Sequence, residues 1–366
     1  MMEWIIAVGV LCVINIVLAL LLMLADALIT DTSERVITIN GSRELRVAGG
    51  KPLLATLKEQ QIFIPSACGG RGSCGLCKVA VLEGGGTILP TEVPWLTPDE
   101  QNNHVRLSCQ LKVRRDLAIR IPEELFNVRQ YQAEVAGLTD LTHDIKQVTL
   151  ALVDPPEIAF TAGQYIQIEV PPYALTDEPV YRAYSVASDP VDTRRIDLEI
   201  RYVPNGICTT YVHQHLKVGD AVTFNGPYGE FGLRPTEREI ICIAGGSGMA
   251  PIRAILLEMA RTRNPRPCRY FFGARSVRDL FLVDEMRRLE GEIPNFHFIP
   301  ALSSPTPDDH WEGETGLITA VVERHVPDAA NAEAYLCGSP LMIDACIKTL
   351  RGRGMPETQI FYDKFT

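Results

Sequence analysis

Four of the ten cysteines constrain this chain more than any other feature in it. Cys68, Cys74 and Cys77 follow one another as Cys-x5-Cys-x2-Cys, and Cys109 stands alone further on. Between the first three lie Gly69-Gly70-Arg71-Gly72-Ser73 and Gly75-Leu76. Three sulfur ligands drawn from one short loop require the backbone to wrap closely around whatever they hold. Glycines permit this, because they accept positive φ and bring amide N–H groups toward sulfur. Clustered cysteines in a chain of 366 residues point to metal ligation rather than a disulfide framework. Zinc is the competing reading, since four thiolates hold it tetrahedrally, but zinc sites usually join two short Cys hairpins. Three ligands plus a distant fourth is the pattern of [2Fe–2S] sites, which space the first two by four residues where this chain has five. The metal ligands are therefore Cys68, Cys74, Cys77 and Cys109, the last at the apparent strand end Arg106-Leu107-Ser108-Cys109-Gln110.

The N-terminus sets the second constraint. Residues 4–25 carry no charge and one side-chain amide, Asn15, and a bilayer core needs about 20 apolar residues as helix. A signal peptide would want a basic start and a shorter apolar run. Here the start carries Glu3 and no Lys or Arg, although Ala25-Asp26-Ala27 loosely imitates a cleavage site. An interfacial helix would need a charged face. The stretch reads as a transmembrane anchor over residues 1–28. Arg35 is the first cation, so flanking charge does not orient it. A reducing cofactor load does, placing the bulk of the chain in the cytoplasm of a bacterium, on a single pass through its plasma (inner) membrane. The formal charge of −10 leaves no electrostatic footprint for nucleic acid.

Three periodicities follow. Residues 33–122 open on alternating Val36-Ile37-Thr38-Ile39 and the hairpin signal Asn40-Gly41. A return strand at 45–47, a helix at 52–61, a strand at 78–82, loop and a short acidic helix start at 84–103, and strand again over 104–121 complete a compact α+β unit. Residues 128–235 show period two, with strands expected at 131–137, 146–152, 164–170, 181–187, 196–203 and 221–225 and a helix at 209–216. That pattern is an antiparallel β-barrel. Residues 236–366 alternate strand, loop and helix, the pattern of an α/β doubly wound parallel sheet.

Two constellations carry further chemistry. Arg182-Ala183-Tyr184-Ser185-Val186-Ala187-Ser188 lies on an expected barrel strand and offers a cation, an aromatic face and small hydroxyls. Gly206-Ile207-Cys208-Thr209-Thr210 opens the helix of the same domain, where a phosphate site and a plain N-cap are both open readings. In the last domain, Gly245-Gly246-Ser247-Gly248 follows an apolar strand and precedes a helix, so a pyrophosphate can approach the helix N-terminus. Cys337-Gly338-Ser339-Pro340 ends another apolar strand. Cys337 is either a small buried hydrophobe or a positioning group near the ligand.

Taken together, these motifs resemble the ferredoxin–NADP reductase superfamily fused behind a ferredoxin domain, over residues 36–366. With the N-terminal span and Cys-x5-Cys-x2-Cys, the chain is similar to the flavin- and iron–sulfur-bearing F subunits of the sodium-translocating NADH:quinone reductases. It looks shorter than those subunits, and Cys337-Gly338-Ser339-Pro340 replaces a frequent Cys-Gly-Pro-Pro. The resemblance implies an NADH-oxidising enzyme with FAD, a [2Fe–2S] cluster and NADH as cosubstrate. It implies that Arg182 binds the FAD pyrophosphate, Tyr184 stacks on the flavin, Ser185 hydrogen-bonds near its N5, and Thr209 touches phosphate, with Ser188, Gly206 and Cys208 beside them. Phe365 would cover the other flavin face and yield to the nicotinamide; Ser185, Cys337 and Phe365 are the catalytic candidates. Arg275, with Arg278 nearby, would meet the adenosine end of the coenzyme without deciding NADH against NADPH. The implied partners are membrane-complex subunits or a quinone-linked acceptor. A monooxygenase fed by a reductase component is the alternative, and a non-catalytic electron-carrier module a further one.

Overall fold

The structure, a computed structural model, describes residues 2–29, 33–66 and 68–365. Helix α1 covers Met2–Ile29, 28 residues. Of its described side chains, Val10, Leu11, Val13, Ile14 and Leu18 are all exposed by more than half. Asn15 donates its amide to Leu11 O at 2.9 Å, within the helix. Among the described residues no helix is long and apolar enough to cross a membrane, and the expected span also takes in side chains outside them. Contacts divide the chain into two compact units, residues 1–64 with 70–123, and residues 65–69 with 124–366.

In the first unit, β1 (Glu34–Ile39) and β2 (Arg43–Ala48) form the expected hairpin. Asn40 and Gly41 both sit at positive φ in its turn, 51° and 71°. Helix α2 (Leu53–Glu59) buries Leu53, Thr56 and Leu57. Strand β3 (Lys78–Glu83) follows the cysteine loop, and α3 (Pro98–Asn102) is closed by a capping box between Thr97 and Glu100. The run 104–121 is not one strand. It splits into β4 (Val105–Leu107) and β5 (Leu117–Arg120), giving a sheet ordered β2-β1-β5-β3-β4. The break has a local cause: Leu107 O accepts from both Gln110 N and Leu111 N, so the chain turns out of the sheet and Cys109 stands in that turn.

The second unit begins with six antiparallel strands: β6 (Arg129–Asp140), β7 (Ile145–Asp154), β8 (Tyr165–Val170), β9 (Val180–Ser185), β10 (Arg195–Arg201) and, after α4 (Ile207–Gln214), β11 (Ala221–Tyr228). Their order is β10-β7-β6-β11-β8-β9. This is a half-barrel where an antiparallel β-barrel is expected. The two edge strands meet at one bridge, Val186↔Leu198, and α4 packs beside both. Val212 from α4, with Leu216 just beyond it, completes a core made of Tyr131, Val135, Leu150, Ile166, Ile196 and Phe224.

The rest is a wholly parallel sheet, β15-β14-β13-β12-β16-β17. In chain order it runs β12 (Glu239–Gly245), α5 (Met249–Thr262), β13 (Cys268–Ala274), α6 (Val283–Glu292), β14 (Phe296–Leu302), β15 (Glu314–Thr315), α7 (Ile318–His325), β16 (Ala332–Gly338), α8 (Pro340–Gly352) and β17 (Ile360–Lys364). Apolar cores lie on both faces. One joins β12 and β13 to α5 and α6, the other joins them to α7 and α8. That explains why β12 and β16 are buried along their length and read as apolar runs without alternation. The first of these cores also takes in Ile145 and Ala162 from the half-barrel.

Candidate functional site

In the first unit the cysteine loop is shaped by glycine. Gly70, Gly72 and Gly75 have φ of 87°, 74° and 69°, a left-handed backbone that side chains resist. A Cβ on Gly75 would lie 3.0 Å from the Trp95 ring. Cys77 and Cys109 are buried. Their thiols share a hydrogen bond, which with burial holds Cys77 well above the ordinary thiol range. Ser108 N donates to Cys77 O at 2.8 Å, and Gln110 Nε2 approaches Cys109 Sγ at 3.6 Å. Among the described residues no three His, Cys, Asp or Glu side chains gather as one metal-holding group. Cys77 and Cys109 meet, with Cys74 half-buried and Cys68 buried. Touching sulfurs, left-handed glycines and a donor aimed at sulfur suit thiolate ligation of an iron–sulfur cluster.

Residues that sequence reasoning missed hold this loop. Glu92, fully buried, takes Arg106 in a two-pronged ion pair: Nε lies 3.0 Å from each carboxylate oxygen and Nη2 2.6 Å from Oε2. The same carboxylate accepts from Leu107 N and Leu89 N, both at 2.8 Å. It thus pins the end of β4 two residues before Cys109. Both residues sat in stretches read as loop and strand, where no periodicity marks a buried ion pair.

In the second unit, Arg182, Tyr184 and Ser185 lie on β9. Arg182 Nη1 donates to Tyr181 O at 2.7 Å. Burial drives the Tyr184 phenol far above its usual range, so it stays a neutral, apolar face. Ser185 is buried and faces Tyr165 in the register. Other expected contacts are used locally. Ser188 Oγ accepts from Asp197 N at 3.1 Å, tying the exit of β9 to β10. Thr209 Oγ1 accepts from Val203 N at 3.2 Å and lies 3.1 Å from Val203 O, closing its own loop. Gly206 has no room for a Cβ, which would lie 2.6 Å from Thr209 Oγ1. Cys208 is buried, with Sγ 3.8 Å from Val180 O.

The structure does bring the two motifs of the parallel sheet together. Ala244 of β12 pairs with Cys337 of β16. A Cβ on Gly248 would fall 2.6 Å from the Cys337 carbonyl carbon and 3.0 Å from Gly338 N. Gly338, at φ 143°, faces Gly245 O, which a Cβ would meet at 3.3 Å. Gly245-Gly246-Ser247-Gly248 and Cys337-Gly338 therefore touch backbone to backbone, at the carboxyl ends of two parallel strands where ligands of such sheets bind. Phe365 joins them, its N–H donating to Gly338 O at 2.9 Å. Cys337 is fully buried, and burial, then Asp363 and Glu199, push its thiol well up. A thiol so protonated is no nucleophile. Arg275 stands exposed just beyond β13, one strand away from Gly245.

Charges from the half-barrel meet this sheet. Arg201 of β10 binds Asp144 through Nε at 2.7 Å and overlies the glycine turn, 3.4 Å from where a Gly246 Cβ would stand. Burial works upward on Asp144, but the Arg201 bond and Thr142 hold its carboxyl below the usual range. Arg253 of α5 contacts Asp197, Glu199 and Glu285. Burial alone would push its guanidinium down, and these carboxylates more than reverse that. Glu199 is buried with neither carboxylate oxygen hydrogen-bonded, and burial lifts it to about 8. The alternation Asp197-x-Glu199-x-Arg201 was the available sign that one face of β10 meets another element.

Comparison with known proteins gives the family. Residues 37–114 match the 2Fe-2S iron-sulfur cluster binding domain, 132–232 the oxidoreductase FAD-binding domain and 242–348 the oxidoreductase NAD-binding domain. The F subunit of the Na(+)-translocating NADH-quinone reductase of Neisseria meningitidis is 38% identical over 404 residues, with all of both chains covered. This chain belongs to that family of reductase subunits. The corresponding Klebsiella pneumoniae protein is 36% identical over 406 residues, again end to end. As a member of the family the chain uses FAD, a [2Fe–2S] cluster and NADH, the three ligands its domains accommodate. Two solved structures share the arrangement. One is a cytochrome P450 reductase from Amycolatopsis, with 28% identity and a TM-score of 0.72; the other is the ferredoxin reductase in carbazole 1,9a-dioxygenase, with 29% and 0.70. Each covers 91% of this chain and 99% of its own.

Proposed function

We propose that this chain is the NADH-oxidising subunit of a membrane quinone-reductase complex, passing electrons from NADH through FAD to a [2Fe–2S] cluster. The observation that carries this is the meeting of Gly245–Gly248 with Cys337-Gly338 and Phe365 in the same compact unit as the β9 strand of Arg182, Tyr184 and Ser185. When bound, FAD accepts a hydride and releases electrons singly to the cluster. The residues do the rest. Gly246 and Gly248 let the coenzyme pyrophosphate reach the start of α5, and Arg201 adds a cation beside it. Arg182 takes the flavin pyrophosphate and Tyr184 supplies its dry face. Ser185 donates near the reacting nitrogen, and Cys337 and Phe365 bound the nicotinamide. Cys68, Cys74, Cys77 and Cys109 hold the cluster, with Gln110 beside Cys109.

Helix α1 is the anchor of this scheme, crossing the plasma membrane once with the two units in the cytoplasm. Its 28-residue length, exposed aliphatic side chains and internally bonded Asn15 support that reading. Carbonate extraction of membranes from cells making the full chain, or the chain lacking residues 1–28, tests it. Only the full chain should resist extraction.

A second reading, a reductase feeding an oxygenase, draws on the two solved reductases. Anaerobic titration with NADH, followed by absorbance and EPR, tests the shared core. Flavin bleaching together with a reduced [2Fe–2S] signal supports it; zinc in place of iron would sink it. Quinone reduction by membranes containing the chain then separates the two acceptors.

A further inference from the structure

Arg253 is a buried charged junction between the half-barrel and the parallel sheet. It starts from α5, one turn after the glycine motif, and its side chain is 12% exposed. Toward the parallel-sheet half, Nε lies 3.2 and 3.1 Å from the two carboxylate oxygens of Glu285 on α6. Toward the half-barrel, Nη1 lies 3.4 Å from Asp197 Oδ2 and 3.9 Å from Glu199 Oε1, both on β10. Asp197 is itself anchored. Its other oxygen accepts from Thr149 at 2.7 Å, its N–H goes to Ser188 Oγ at 3.1 Å, and its carbonyl accepts from Ala187 N at 2.7 Å. Ala187 and Ser188 directly continue β9, the strand that carries Tyr184 and Ser185. One guanidinium therefore links the helix that begins at the coenzyme turn to the strand assigned to the flavin.

We infer that Arg253 is a positioning residue for hydride transfer, setting the separation of the nicotinamide-binding and flavin-binding halves through Asp197 and β9. The inference rests on the function proposed above. A rigid, multidentate arginine suits the task, since its planar fork holds two carboxylates in fixed directions where an ammonium would act as a point charge. Hydride transfer is steeply sensitive to donor–acceptor placement, and misplacement by about 1 Å can slow a reaction on the order of a hundredfold.

The test uses the full chain loaded with FAD and cluster, and measures flavin bleaching by NADH and by NADH deuterated at the transferred position. Wild-type bleaching checks the parent function; if it fails there, that reading falls before this one is reached. Arg253→Met and Asp197→Asn should keep flavin content and the NADH dissociation constant within about twofold, yet slow bleaching on the order of tenfold to a hundredfold. The isotope effect should change with it. Arg253→Lys should restore part of the rate, and the double variant should be no slower than the worse single one. The idea is overturned if the variants melt earlier while flavin-loaded protein bleaches at the wild-type rate with an unchanged isotope effect. It is equally overturned if only NADH affinity falls. Should Arg253→Met not retain FAD, Asp197→Asn and Arg253→Lys decide the question by the same readouts.

Discussion

Glu199 offers the sharpest test of how the two halves of the second unit pack. Its carboxyl is buried beside Asp197 and Glu285, with Arg253 as the counter-charge, and stands at about 8 against an ordinary 4.5. Below about pH 4.5 the group is protonated whether the chain is folded or not. Between there and about 8, the unfolded chain has released the proton while the folded chain still binds it. Stability therefore falls as pH rises through this window and levels off above it. At about 1.4 kcal/mol per pH unit the whole displacement amounts to about 5 kcal/mol, of which about 2 belongs to the interval from pH 6 to 8, the group being half ionised at the upper end. Asp363, which burial lifts to about 6 from 3.8, adds a similar fall confined to lower pH. Glu199→Gln removes the titration and leaves a side chain of the same length, with an amide that can donate to Asp197 or Glu285. Urea unfolding of the loaded protein, followed by flavin release at pH 5, 6, 7 and 8, reads the outcome. The wild-type midpoint should drop between pH 6 and 8 and the variant's should not, so that the gap changes by about 2 kcal/mol divided by the urea slope. Parallel curves for the two proteins would refute the account, because they would mean that Glu199 is already ionised, or hydrated, in the folded state.

Other outcomes follow from the same geometry. Cys109→Ser should abolish the [2Fe–2S] signal and lower bound iron, while NADH still bleaches the flavin. Glu92→Gln leaves Arg106 buried against a neutral partner and should destabilise the first unit by about 3 kcal/mol or more, read as faster iron loss on mild heating. Gly248→Ala drives a Cβ into the Cys337 carbonyl and should raise KM for NADH by about tenfold or more with flavin content kept, whereas unaltered NADH kinetics would remove that turn from the site.

Much of the molecule could be read from local pattern. Asn40-Gly41 announced its hairpin, the apolar runs at 240–244 and 334–337 announced buried parallel strands, and Gly245–Gly248 announced the turn from strand to helix. Each is a short-range signal, set by one residue's φ or by a few neighbours' hydrophobicity. Reasoning of that kind overreached where backbone hydrogen bonding, rather than residue pattern, decides the path of the chain. It ran one strand through 104–121, because it could not see that the Leu107 carbonyl captures two amides and turns Cys109 out of the sheet. It named a barrel and not a half-barrel, because strand count says nothing about whether the edge strands meet along their length or at one bridge. The local bonds that the Thr209 and Ser188 hydroxyls accept from Val203 N and Asp197 N were not legible either, because they join loop and strand ends whose pairing only the fold fixes.

The division between the two kinds of information is physical. Cysteine spacing, glycine placement and hydrophobic period act within a few residues, so the sequence alone determined the three domain types, the cofactor classes they serve and the family resemblance. Which charges meet is a property of distant segments. Glu92 with Arg106, Arg201 with Asp144 over Gly246, and Arg253 among Asp197, Glu199 and Glu285 are joined only when sheets and helices pack. Burial, which decides how those groups titrate and what they hold in place, exists only in the tertiary structure.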